Sequence, residues 1–111
     1  TFIFDTGSKE CWAPISTCPV LQCTKTLYAH TLSATYGTGV TAGTLNYMTT
    51  TATGTYSSDR TCLANNAVCT GVSWQFLAVT SSTNYATNMQ ASGVCGLAPL
   101  TSNMGTKQLV T

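Results

Sequence analysis

No segment of the chain sustains apolar residues at i, i+3, i+4 and i+7 over several helical turns, and β-branched Thr and Val recur throughout. The pattern is that of a mostly β domain with at most one or two short helices. Thr1 to Asp5 is an apolar run closed by the turn formers Thr6-Gly7-Ser8, which predicts a buried strand feeding a tight loop. Leu32, Ala34 and Tyr36 alternate with Ser33 and Thr35, Gly37-Thr38-Gly39 intervenes, and Val40 leads through Leu45 to Tyr47. This predicts a β-hairpin with a glycine-rich tip. Thr49 to Tyr56 is a Thr-rich stretch expected as an exposed strand or loop, and Trp74 to Val79 is a further strand. Ser102-Asn103 ahead of Lys107 to Val110 marks the start of a short helix.

Charge and composition narrow the picture. Of 111 residues, 43% are hydrophobic and 6% charged, with four Lys and Arg against three Asp and Glu. Thr and Ser together make up roughly 30% of the chain, where an ordinary domain carries about 25% charged residues. Solubility therefore rests on neutral hydroxyls. There is no basic stripe for nucleic acid, no polybasic patch for anionic lipid and no acidic tail. The longest apolar runs, such as Phe76 to Val79, are of strand length and far short of a membrane span. Six cysteines with a single histidine and no Cys-x-x-Cys pair fit a disulfide framework rather than a zinc site, and hence an oxidising compartment. The opening residues lack an initiator Met, a charged n-region and a signal core, which suggests a piece of a longer secreted or vesicular precursor.

Only Asp5, Glu10 and Asp59 are available for carboxylate chemistry. Asp5 stands apart, because an apolar strand delivers it into a turn rich in backbone N–H and hydroxyl donors. Burial raises a carboxyl pKa and hydrogen bonds to the charged form lower it, so such a position suits an acid or base. Asp59, in Ser58-Asp-Arg60, lacks the strand and the glycine for such a role. The Gly37-Thr-Gly-Val-Thr-Ala42 stretch with Asp59 downstream imitates a dinucleotide fingerprint, but the residues after the glycines alternate like a strand instead of opening a helix. His30 has no ligand-spaced partner and reads as a solvent-facing loop residue.

In chain order, Phe2-Ile-Phe-Asp-Thr-Gly-Ser8, Trp12 with Pro14, Cys18 with Cys23, Tyr36-Gly-Thr-Gly39 and Gly93-Val-Cys-Gly-Leu-Ala98 resemble the amino-terminal lobe of the pepsin-like aspartic proteases. The resemblance implies that residues 1–111 are part of one lobe of a bilobal acid protease, without its first strands and its second lobe. It implies an aspartic endopeptidase that cleaves peptide or protein substrates through an activated water, with no metal and no cofactor. Asp5 would supply half of an aspartate dyad that shares one proton, the other half lying outside this chain. Thr6 would donate its hydroxyl across the lobe junction, Gly7 would admit backbone beside the carboxylates, and Ser8 would hydrogen-bond the outer oxygen of Asp5. Tyr36 would close over the substrate with its hydroxyl toward the Trp12 indole, while Gly37, Thr38 and Gly39 would offer backbone groups to the peptide. Ile3, Tyr85 and Val94 would line the first specificity pocket. The location implied is secreted or lysosomal/vacuolar.

The resemblance also implies a Cys18–Cys23 bond. Cys62–Cys69 is the other short closure, expected to pin a hairpin turn. Cys11 and Cys95 remain for a third, buried bond joining the Asp5 strand to the Gly93–Ala98 strand. Ser92 stands where the family usually has an aspartate, and the stretch from Cys23 to Tyr36 is shorter than in pepsin. The competing reading is a catalytically inactive, disulfide-bonded binding module on the same fold.

Overall fold

β-branched and aromatic residues fit the pleated, half-buried surface of a sheet, and Thr, Val and aromatic residues recur along the chain. A computed structural model describes residues 2–47, 50–63, 67–83 and 92–98. Its strands are β1 (Phe2–Asp5), β2 (Cys11–Pro14), β3 (Ala42–Tyr47), β4 (Thr50–Asp59), β5 (Cys62–Leu63), β6 (Val68–Cys69), β7 (Trp74–Thr83) and β8 (Gly93–Gly96). The helical element among these residues is one 3-10 turn, His30–Leu32. Six strands form a mixed sheet in the order β1-β8-β2-β7-β4-β3, and β5 pairs with β6 as a separate hairpin. β1 and β2 are consecutive in the chain, yet β8 lies between them, parallel to β1 and antiparallel to β2. The result is a ψ-shaped crossing with Asp5 at its bend. This is one lobe of a pepsin-like fold.

Alternation along the strands divides the core between the two sheet faces. Pairing sets Ile3 beside Val94, Val94 beside Trp12, Trp12 beside Leu77 and Leu77 beside Tyr56, a row that crosses five strands on one face. Ala52, Val79 and the Cys18–Cys23 loop complete that cluster. The other face gathers Cys11, Ala13, Trp74, Phe76, Ala78 and Cys95, with Tyr28 and Tyr36 packed against them. Trp12, Leu77 and Val79 are fully buried, and each large apolar side chain removed from water contributes about 1.5–3 kcal/mol. Among the described residues no helix is long and apolar enough to cross a membrane.

The fold departs from the sequence-based expectations at several points. The Thr-rich stretch is neither loop nor exposed: Thr50–Asp59 is β4, an inner strand between β3 and β7, with Ala52 and Ser57 buried. Threonine is small and β-branched enough to line a covered strand, and on β3 and β4 it satisfies itself across the ladder, as in Thr44–Thr53 at 3.3 Å. The hairpin is therefore β3-β4, and residues 32–36 form no strand beside Val40–Tyr47. Among the described residues β1 pairs with β8 alone, and Phe2 and Phe4 are about half exposed, so the strand expected to be buried is open on one side. His30 is half-buried, with its ring 4.9 Å from that of Tyr36. The helix expected near Ser102 lies outside the described residues.

The cysteines are joined Cys11–Cys95, Cys18–Cys23 and Cys62–Cys69. Cys11 belongs to β2, so its bond ties β2 to β8 and not the Asp5 strand itself; the two residues are directly opposite, with Cα atoms 4.0 Å apart. This bond closes a sequence separation of 84 residues, and the chain-entropy model assigns such a closure about 4–5 kcal/mol. We predict that Cys11→Ala with Cys95→Ala lowers the unfolding free energy in urea by that order. A loss below about 1 kcal/mol would show that the strand ladder fixes the crossing without the bond.

Candidate functional site

Asp5 is the last residue of β1 and sits in register with Gly96. Beyond it the chain reverses, and the Gly7 N–H donates to Asp5 Oδ1 at 2.9 Å, the side-chain turn that aspartate forms with the residue two ahead. Three successive amides at the end of β8 hold the main chain of this turn. Gly96 N–H donates to the Glu10 carbonyl at 3.0 Å, Leu97 N–H to the Asp5 carbonyl at 2.8 Å and Ala98 N–H to the Ser8 carbonyl at 3.0 Å. The approach is so close that position 96 admits only glycine. A Cβ there would lie 2.5 Å from the Ser8 carbonyl and 2.6 Å from Lys9, both backbone.

Asp5 and Ile3 are two apart on β1 and share a face, and Ile3 pairs with buried Val94. The structure thus brings together a half-buried carboxylate, a backbone donor and two aliphatic side chains. Thr6 lies exposed at the turn. Ser8 does not bond Asp5: its hydroxyl oxygen is buried and has no hydrogen-bond partner among the described residues, and the Gly7 amide takes the contact instead.

The flap residues are placed differently from expectation. The Tyr36 hydroxyl donates to Ser57 Oγ at 3.0 Å, and its ring stands edge-on to Tyr28 and Phe76 on the face opposite Asp5. Trp12 faces the Asp5 side, so alternation on β2 separates the two aromatics. Gly37 exchanges backbone hydrogen bonds with Ser58, and Gly39 donates to Ser57 Oγ. Glycine at 39 allows this, because a Cβ would fall on the Tyr56 carbonyl. Residues 37–39 are consequently seated along β4 instead of forming a hairpin tip, with Thr38 exposed. Tyr85 lies outside the described residues.

No local motif surrounds Asp59, yet the fold makes it the hub of the opposite face. At 4% exposure it accepts from the Tyr28 hydroxyl, from Thr35 Oγ1 and from the Arg60 N–H. Burial pushes its carboxyl up, but hydrogen bonds from Thr35, Tyr28, Ser33 and Arg60 outweigh this and hold it below the usual carboxylate range. Burial and the Asp59 bond raise Tyr28, which keeps its phenol a donor. A cavity of about 280 Å³ opens on this face, walled by Phe2, Phe4, Tyr28, Trp74 and Phe76, with Asp59 at its edge. Phe2 and Phe4 alternate with Ile3 and Asp5, so the cavity and the Asp5 carboxylate occupy opposite sides of β1. No cluster of three His, Cys, Asp or Glu side chains suited to a metal occurs among the described residues.

Comparison with known proteins adds a second line of information. Residues 1–110 match the family described as eukaryotic aspartyl protease. Plasmepsin I of Plasmodium falciparum, in each of two isolates, is 35% identical over 100 residues, which cover 86% of this chain and 21% of the relative. The chain spans about a fifth of the length of the curated relatives it matches.

The lowered pKa of Asp59 has a consequence in acid. Its contribution is present above the unfolded carboxyl pKa of about 3.9 and is lost as pH falls through the lower folded value. We predict that Asp59→Asn, which sets an amide N–H₂ against hydroxyl donors, costs about 1–3 kcal/mol at pH 6. The gap to the wild type should shrink once the pH drops below about 4. A pH-independent gap in urea unfolding would refute this assignment.

Proposed function

The chain belongs to the eukaryotic aspartyl protease family, and on that premise we propose that it supplies one half of an aspartic endopeptidase active site. Asp5 is the half in this chain, and the second aspartate comes from a carboxyl-terminal lobe outside it. Two carboxyls about 3 Å apart share one proton, because both cannot ionise together. In this reading the ionised member takes a proton from a bound water as its oxygen adds to the scissile carbonyl carbon. The protonated member gives its proton to the carbonyl oxygen, and collapse of the tetrahedral adduct expels the amine after proton return. Neither a metal nor a covalent intermediate enters this scheme.

The observation that carries the proposal is the Asp5 turn: a carboxylate at the bend of the ψ crossing that accepts from the Gly7 amide, on a main chain whose carbonyls accept from the three amides of residues 96–98. An acid or nucleophile-activating group needs this kind of preorganisation, since a misplaced carboxylate loses most of its effect. Ile3 and Val94 on the same face support an apolar substrate side chain beside the carboxylate. Gly7 supports the carboxylate from the turn through its amide, and the roles of Thr6 and Ser8 rest on the motif order. The roles of Trp12, Tyr36, Gly37, Thr38, Gly39 and Tyr85 over the substrate rest on the motif order, as Tyr36 is bonded to Ser57 here. Three disulfides favour an oxidising location, either secreted or lysosomal/vacuolar.

We predict that the full-length protein hydrolyses peptides at acid pH and that Asp5→Asn lowers kcat by about a thousandfold or more with the fold intact. Residues 1–111 alone should be inactive unless two copies pair. Undiminished turnover in Asp5→Asn would overturn the proposal and favour the disulfide-bonded binding module.

A further inference from the structure

Tyr56 ends the row that begins at Ile3, on the face that carries Asp5. Its ring lies across Gly43 of the neighbouring strand, where a Cβ would come within 2.6 Å of Cε2 and 3.0 Å of the hydroxyl oxygen. The missing side chain at 43 leaves the ring free to lean over the sheet. Its hydroxyl then donates to Glu10 Oε2 at 2.9 Å, across 46 residues of sequence. Glu10 is the last residue before β2, and its carbonyl accepts the Gly96 amide, next in line to the Leu97 amide that holds Asp5. The Glu10 side chain is thus fastened to β4, while its main chain is fastened to the same strand end that fixes Asp5.

We infer that Glu10 is a positioning residue for Asp5: the Tyr56 hydroxyl anchors its carboxylate, and this anchor sets the return of the turn that presents the Asp5 carboxyl. The inference rests on the reading of Asp5 as half of the dyad. Glu10 touches neither substrate nor reacting atoms in this role. Its effect passes through the Gly96-Leu97 amides to the Asp5 main chain. A hydrogen bond from a phenol to a carboxylate is of the stronger, charge-assisted kind, so this contact ties the Glu10 side chain firmly to β4.

In the full-length protein, Tyr56→Phe and Glu10→Ala are each expected to lower kcat on a peptide substrate about tenfold, the effect of one hydrogen bond to a charged group, with KM nearly unchanged. Glu10→Gln keeps an oxygen that accepts from Tyr56 and should stay within about twofold of wild type. The Tyr56→Phe/Glu10→Ala double variant should be no slower than either single one. Additive losses, or Glu10→Gln as slow as Glu10→Ala, overturn the inference. Turnover that survives Asp5→Asn would instead remove the dyad reading. Hydrogen exchange at the Gly7, Gly96 and Leu97 amides separates the two, because it needs no turnover: faster exchange in Tyr56→Phe supports the anchor, and unchanged exchange refutes it.

Discussion

A side chain at position 96 would have its first carbon 2.5 Å from the Ser8 carbonyl, and the geometry around Asp5 follows from that lack of space. The end of β8 must run directly beneath the returning turn for its amides to reach the carbonyls of Asp5, Ser8 and Glu10. Each of those bonds satisfies a main-chain group that would otherwise be orphaned near the core, at a cost of about 1–3 kcal/mol per group. The main chain of the turn is therefore held at residues 5, 8 and 10 by these amides, with the Asp5 and Glu10 side chains bonded to the Gly7 amide and the Tyr56 hydroxyl. With its carbonyl held by the Leu97 amide, Asp5 presents its carboxyl from a fixed main chain.

The scarcity of charge shapes the rest of the molecule. Where another domain would use ion pairs, this one uses hydroxyls: Thr44 faces Thr53, Ser57 takes both Tyr36 and Gly39, and Thr35 and Tyr28 converge on Asp59. Hydroxyls keep their bonding capacity as pH falls, whereas carboxylates lose theirs on protonation. Among the described residues Asp59 is the buried carboxylate that depends on charge, and its neighbours depress its pKa enough to delay that loss. A domain so constructed loses few paired carboxylates in mild acid. Its hydroxyl-rich composition and its proposed working conditions agree for that physical reason.

Features decided within a few residues were legible in the sequence, and features decided by distant partners were not. The Asp5 turn, the strand at Trp74 and the short Cys62–Cys69 closure depend on local spacing, and the Cys18–Cys23 bond is implied by the family resemblance. The Thr-rich stretch gave no sign of being inner, because its burial comes from β3 and β7 on either side. Phe2 and Phe4 looked buried by composition, but burial also needs a neighbour beyond β1. Tyr36 could be placed in a motif order but not on a sheet face, since its face is chosen by Ser57 on a strand 21 residues away. Asp59 carried no local motif at all; Tyr28 and Thr35, distant in sequence, converge on it only after folding.

The two faces of the sheet carry different loads, so their separation has to be enforced. One side holds Asp5 with Ile3, Val94, Trp12 and Tyr56; the other holds the aromatic cluster and residues 28–39. A slip of β8 by one residue against β2 would exchange the faces of Val94 and Cys95 and bring the wrong amide under Asp5. Hydrogen bonds alone penalise this weakly, because a shifted ladder remakes most of them. A covalent bond between directly opposed Cys11 and Cys95 excludes it, since only the native register brings the two sulfurs within bonding reach. The bond lies on the aromatic face, yet through the register of β8 it determines which amides stand beneath the carboxylate on the other.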